Sequence, residues 1–243
     1  MQMKSGGRHV ERGYRSVIEP AGLECYRVVQ DESDLYVCTE RDLKRQAAES
    51  LAACRSDLEE YLGSHPEFGT SFGPLPASSG APDIVKEMAA ASETFNVGPM
   101  ASVAGAVAQY VGQKLMEHSR EVIVENGGDI FLSGGKRRKA RIFAGEGSQA
   151  VDIMIEDKPE GIGLCTSSAT VGPSVSLGEA EAVTVLSPTA TLADAAVTAI
   201  GNRVVSQEDI PGALELAREY EEVLGVVVIA GGSVGVWGRI EVA

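Results

Sequence analysis

The spacing of hydrophobic positions changes along the chain, and each change predicts a change of element. Two short runs rich in β-branched and aromatic residues, 26–29 and 35–38, flank the acidic stretch Asp31-Glu32-Ser33-Asp34, which is the pattern of a β-hairpin. From 40 to 62 the apolar positions Leu43, Ala47, Leu51, Cys54, Leu58 and Leu62 recur every three or four residues with charge between them, predicting an amphipathic helix. Residues 63–82 are dense in Pro, Gly and Ser and read as loop. Pro82 can open a second helix through Ile84, Val85 and Met88. A third is predicted over 100–118, with alanine and glycine on every side. A helix so poor in bulk is expected to be buried and closely approached by a neighbour or a ligand.

Beyond that helix the chain turns to strands. β-like runs occupy 122–125, 130–132, 139–143, 151–155, 162–165 and 183–186. Pro188 ends the last run, and Thr189 or Thr191 can cap the helix that follows. A further helix is read over 213–224, and runs at 226–229 and 234–242 form a closing hairpin. Strands, helices and strands again occur in that order twice. The pattern therefore predicts an α+β chain, a single domain over 1–243 with two related halves meeting near 118–121.

Composition narrows the function. At 243 residues and 44% hydrophobic the chain can bury a substantial core. A net charge of −14 argues against nucleic acid and against an anionic membrane surface as partners, while a phosphate-bearing small molecule stays open, because backbone amides and a metal can carry that charge. The cysteines at 25, 38, 54 and 165 form no Cys-x-x-Cys pair, so they read as reduced thiols of a cytoplasmic protein. No apolar run reaches membrane-spanning length. The basic run Lys136-Arg137-Arg138-Lys139 reads as a solvated hairpin turn.

Three stretches hold candidate chemistry. Asp194 and Thr198 are four apart, so on a helix they share a face about 6 Å along the axis. A carboxylate and a hydroxyl so placed can form a hard-cation corner, or Asp194 can complement the helix dipole while Thr198 packs. Asn126-Gly127-Gly128-Asp129 joins two strands; its glycines serve a tight hairpin or let a ligand lie against backbone. Thr166, Ser167 and Ser168 follow Cys165, and three adjacent hydroxyls can bind phosphate or ribose or simply mark a loop.

Taken together, these pieces resemble the ApbE family of flavin transferases. The likeness covers roughly 95–202: the segment 95–101, the turn Gly127-Gly128-Asp129, the triplet Thr166-Ser167-Ser168 and the block 188–198 stand in the family's order. The wording Val-Gly-Pro-Met-Ala, Val-Glu-Asn-Gly-Gly-Asp and Cys-Thr-Ser-Ser is similar to a small prokaryotic ApbE-like branch. The resemblance implies two T-fold-like halves, antiparallel sheet with helices packed on one face. It implies FAD, or a related nucleotide, as ligand or substrate, together with Mg²⁺ held by Asp194, Thr198 and the Ala101 carbonyl. The nucleotide would lie against Gly98, Met100, Asn126, Gly127, Gly128, Asp129, Thr166, Ser167 and Ser168.

Three departures bear on activity. The family's histidine after the Thr-Ser motif is missing from the segment 171–178, and no histidine follows His118. Where the family has a lysine after the metal-contacting alanine, this chain has Ser102, and Asn96 stands for its aspartate. No catalytic residue is assigned. The expected activity is FMN transfer to a hydroxyl of an acceptor protein, or pyrophosphate hydrolysis; the alternative is a flavin- or nucleotide-binding or sensing module without the chemistry.

Overall fold

A computed structural model describes residues 18–144, 150–168 and 180–243. The segment 171–178 and His9 lie outside the described residues. In chain order the elements are β1 (Glu24–Gln30), β2 (Ser33–Thr39), α1 (Lys44–Ser64), α2 (Pro66–Thr70), α3 (Asp83–Phe95), a 3₁₀ turn (Pro99–Ser102), α4 (Val103–Met116), β3 (Val122–Asn126) and β4 (Asp129–Ser133). There follow β5 (Arg137–Ile142), β6 (Val151–Glu156), β7 (Ile162–Ser167), β8 (Ala182–Ser187), α5 (Ala190–Gly201), a 3₁₀ turn (Gln207–Asp209), α6 (Ile210–Glu219), β9 (Gly225–Ala230), β10 (Ser233–Gly238) and β11 (Glu241–Val242).

The strands form two antiparallel sheets. Eight make one sheet in the order β1-β2-β3-β4-β7-β8-β9-β10, and β11-β6-β5 make a smaller one. The mixed helix and antiparallel-sheet class is the expected one. Alternate side chains of the large sheet, among them Val37, Val124, Phe131, Val185 and Val228, pack under α1, α3, α4, α5 and α6. Those between them, including Ile123, Leu132, Leu164 and Ile229, meet Ala140, Ile142, Ile153 and Ile155 of the small sheet. With both faces covered, β8 and β9 are buried at every position, Thr184 and Ser187 of β8 included.

Four expectations need correction. The stretch 63–82 is not all loop: Pro66 sets the first turn of α2, whose Phe68 is buried and meets Tyr61 edge-on. The helix read over 213–224 runs over 210–219 instead, because Ser206 and Asp209 form a capping box upstream and the chain turns extended at Tyr220. The basic run is mostly strand β5, not a turn. Its alternation sends Arg137, Lys139 and Arg141 outward to Glu241 and Asp152, while Arg138 points inward to Asp157 and Glu121. Finally, Cys25 and Cys38 stand opposite each other across β1 and β2 and are joined as a disulfide, so only Cys54 and Cys165 are free thiols, both buried. Among the described residues no helix is long and apolar enough to cross a membrane.

Candidate functional site

Two helices, α4 and α5, cross where the helical layer meets β7, and each caps the other. Thr189 accepts the Leu192 amide at 3.1 Å and starts α5, as one of the two threonines was expected to do. A second acceptor comes from α4: buried Gln109 takes the Ala190 amide at 2.8 Å on its Oε1 and donates its Nε2 to Glu87 at 2.9 Å. In return Asp194 of α5 accepts the Gly105 amide at 2.8 Å in the first turn of α4, and the Ala104 amide as well. The carboxylate so satisfies orphan donors at a helix N-terminus and meets its dipole.

This exchange needs a glycine at 105. A Cβ there would sit 2.3 Å from the Ala190 carbonyl oxygen and 2.8 Å from the Asp194 Cβ, so α4 and α5 touch backbone to backbone. The small-residue character of 100–118 is thereby explained by a neighbouring helix. The 3₁₀ turn that carries Met100 and Ala101 closes with the Ala101 amide on the Gly98 carbonyl at 3.0 Å and packs against α5. Its Ser102 is buried, with the hydroxyl donating to the Pro99 carbonyl at 2.9 Å. Thr198 is half-buried, one helical turn along α5 from Asp194.

The turn Gly127-Gly128 joins β3 to β4 with φ of +69° and +112°, Asn126 facing Asp129. Its flanks reach into the same corner. The Asn126 amide nitrogen donates to the Ala104 carbonyl at 3.1 Å, and buried Glu125 accepts the Gly128 amide at 2.9 Å. Asp129 lies within electrostatic reach of Asp194 and hydrogen-bonds the Cys165 thiol and the Thr166 backbone amide. Both carboxylates are nearly enclosed, 9% and 8% exposed. Burial, the neighbouring Asp194 and Glu125 together hold Asp129 well above the usual carboxylate range. Burial likewise pushes Asp194 up to about 7, against the pull of its two amide donors. Desolvation and the nearby acid push the Cys165 thiol upward too, so it is no nucleophile at neutral pH.

The expected residues divide accordingly. Asn126, Gly127, Gly128, Asp129 and Asp194 converge on the N-terminus of α4, and Gly98, Met100 and Ala101 lead into it. The hydroxyls of the triplet turn mostly to the fold: Thr166 bonds Thr184 at 2.9 Å, Ser168 donates to the Glu181 carbonyl at 2.6 Å, and Ser167 is half-buried at the end of β7. Gln109 and Gly105 were not singled out by their spacing, because their partners on α5 are more than eighty residues away. Among the described residues no three of His, Cys, Asp and Glu form a metal cluster. The expected donors are a single carboxylate, a hydroxyl and a carbonyl, all oxygens suited to a hard cation. Two enclosed acids with no lysine or arginine paired to them among the described residues fit that cation.

Comparison with known proteins agrees with this architecture. A family model described as "AbpE bacteria" matches residues 16–232. The UPF0280 protein of Methanocaldococcus jannaschii is 39% identical over 220 residues, 88% of this chain and 89% of that one. A UPF0280 protein of Methanococcus aeolicus is 42% identical over 193 residues, 76% of this chain and 78% of its own. Among solved structures, the flavin transferase ApbE from Vibrio cholerae superposes with a TM-score of 0.61 at 12% identity, covering 90% of this chain and 97% of that one. The apo flavinyl transferase ApbE of Pseudomonas stutzeri gives 0.59 at 14%, covering 91% and 95%. At such identities these structures speak to the fold. By the span of the family model and the identity of its relatives, the chain belongs to the ApbE-like family described as "AbpE bacteria", together with these UPF0280 proteins.

Proposed function

We propose that the chain binds FAD or a related nucleotide with Mg²⁺ at the N-terminus of α4, and transfers FMN to a protein hydroxyl or hydrolyses the pyrophosphate. One observation carries this reading: two buried carboxyl groups, Asp129 and Asp194, share a corner with backbone amides and no basic partner among the described residues. Such a corner is an unfavourable place for two negative charges unless a cation joins them. Asp194, Thr198 and the Ala101 carbonyl would hold it.

The bound Mg²⁺ would act as a Lewis acid on the pyrophosphate. The chain's own contribution is placement. Gly127 and Gly128, without Cβ atoms, would admit a ligand against the β3–β4 backbone, and Gly98 with Met100 of the 3₁₀ turn would wall the other side. Asn126 ties the β3–β4 turn to the first turn of α4 through the Ala104 carbonyl. The acceptor would be a protein with an exposed serine or threonine.

A second reading, a nucleotide-binding module without transfer, is favoured by the missing histidine. Among the described residues His65 stacks on Tyr61 with ring centroids 4.2 Å apart, and His118 lies just beyond the end of α4, so neither stands at this corner. Incubating the protein with FAD, Mg²⁺ and candidate acceptor proteins separates the two. AMP released only when Mg²⁺ is present supports the enzyme; FAD bound but intact selects the module.

A further inference from the structure

Among the described residues four strands lie at sheet edges: β1 and β10 of the large sheet, β5 and β11 of the small one. An open edge presents a row of unpaired amides and carbonyls, and folded proteins guard it with charge, proline or a very short strand. Three of the four are guarded. β1 holds Glu24 and Arg27, β5 holds Arg137, Lys139 and Arg141 and is met at Ala140 by Ile18, and β11 is two residues long. β10 is six residues, Ser233 to Gly238, with neither a charge nor a proline.

Its geometry leaves the edge available. Gly231 and Gly232 close the β9–β10 hairpin with φ of +57° and +73°, a two-residue turn that makes Ala230 and Ser233 a hydrogen-bonded pair. The amides and carbonyls of Val234 and Val236 therefore point away from β9, and no strand among the described residues takes them. Val234 is 47% exposed, while Val236 and Trp237 are half-buried. The turn itself is tied to the fold, the Gly232 amide to the Glu181 carboxylate at 3.2 Å and the Ser233 hydroxyl to Gln207 at 3.1 Å.

What fits this edge follows from α6, which lies over β9 and β10. A Cβ on Gly235 would meet Ile210 and Leu214, and the Arg218 guanidinium stands 5.8 Å from the centre of the Trp237 ring. Paired strands are about 4.8 Å apart, so a second β10 laid antiparallel on the first brings a second α6 to about 10 Å, the distance at which helices pack. The charges agree. Arg218, Glu215 and Glu219 are exposed on α6 and enter no ion pair among the described residues, so each helix offers its mate one cation and two acids. A net charge of −14 repels two copies in general, but an uncharged strand flanked by mixed charge is self-complementary, as a twofold interface requires.

We propose that the outer edge of β10 joins two copies of this chain, the strands pairing antiparallel about a twofold axis so that the two large sheets run together and α6 of each copy packs on α6 of the other. Val234 and Val236 of the two copies then meet on the face opposite the helices.

Sedimentation velocity on the full chain, from micromolar to submillimolar concentration, tests this. The native chain should sediment as a dimer in the upper part of that range. Val234→Lys places a charge on each copy where the strands meet and should raise the dimer dissociation constant by at least about tenfold, with the circular dichroism spectrum unchanged. Val29→Lys, at a valine of β1 that is 55% exposed, should leave the dimer intact. Arg218→Glu removes the one cation of α6 and should weaken the dimer by at least about fivefold, which decides the matter if Val234→Lys disturbs the fold. A native chain that stays monomeric throughout overturns the proposal. So does a dimer that Val234→Lys and Arg218→Glu both leave intact, or one that Val29→Lys dissociates.

Discussion

At the scale of single residues, Asp194 carries two duties that pull against each other. As a cap it accepts the Gly105 and Ala104 amides, which favour its charged form, while enclosure beside Asp129 disfavours that charge and raises its pKa to about 7. A carboxyl that holds its proton more tightly when folded than when unfolded stabilises the fold fully only below its unfolded value of about 4. That contribution is lost as pH rises toward about 7. Without divalent cations the thermal midpoint should therefore fall between pH 5 and pH 7.5. Asp194→Asn, which keeps an oxygen for the Gly105 amide, should flatten the fall. A profile identical in the variant would remove Asp194 as its source. The cation displaces the same proton, so Mg²⁺ affinity should climb with pH over this range, by up to about tenfold per unit for one proton released.

At the scale of elements, the site depends on how closely α4 and α5 approach. Gly105→Ala places a methyl group against the Ala190 carbonyl and the Asp194 Cβ, and both belong to a helix that cannot retreat without uncapping α4. A destabilisation of about 2–3 kcal/mol is expected in urea unfolding, as for overpacked cores, with loss of Mg²⁺-dependent nucleotide binding. A neutral Gly105→Ala would show that the helices have room. Much of this level was legible beforehand. Thr189 as a cap, the Gly-Gly hairpin turn and the four-residue spacing of Asp194 and Thr198 are local, and local chemistry reads directly from neighbouring letters. The exchange of caps between Gln109 and Asp194 was not, since each partner is distant in the chain. Nor was the pairing of Asp129 with Asp194, which follows from β4 lying next to β7 and from α5 packing on β7.

At the scale of the whole molecule, the large sheet is closed on its second face by β5, β6 and β11, a cover that the alternation of hydrophobic residues did not announce. Its charged inner position explains why. The Arg138 side chain is 3% exposed and paired with Asp157, whose side chain is fully enclosed, so a basic run that looked like a solvated turn is a strand with one buried cation. Arg138→Met leaves Asp157 uncompensated and should cost about 3–5 kcal/mol, and the double change with Asp157→Leu should recover most of it. A fully additive double variant would mean that the two residues do not act as a pair. The succession of strands and helices, by contrast, followed from the period of the pattern, while antiparallel sheet with helices packed on one face was what the family resemblance implied. The most direct test of the account is a calorimetric titration of FAD into native protein and Asp194→Asn at pH 8, with and without Mg²⁺. The account predicts Mg²⁺-dependent binding by the native chain and at least about tenfold weaker binding by the variant, one lost charge-assisted contact being worth 1.5–3 kcal/mol. Equal affinities, indifferent to the metal and to the substitution, would contradict it.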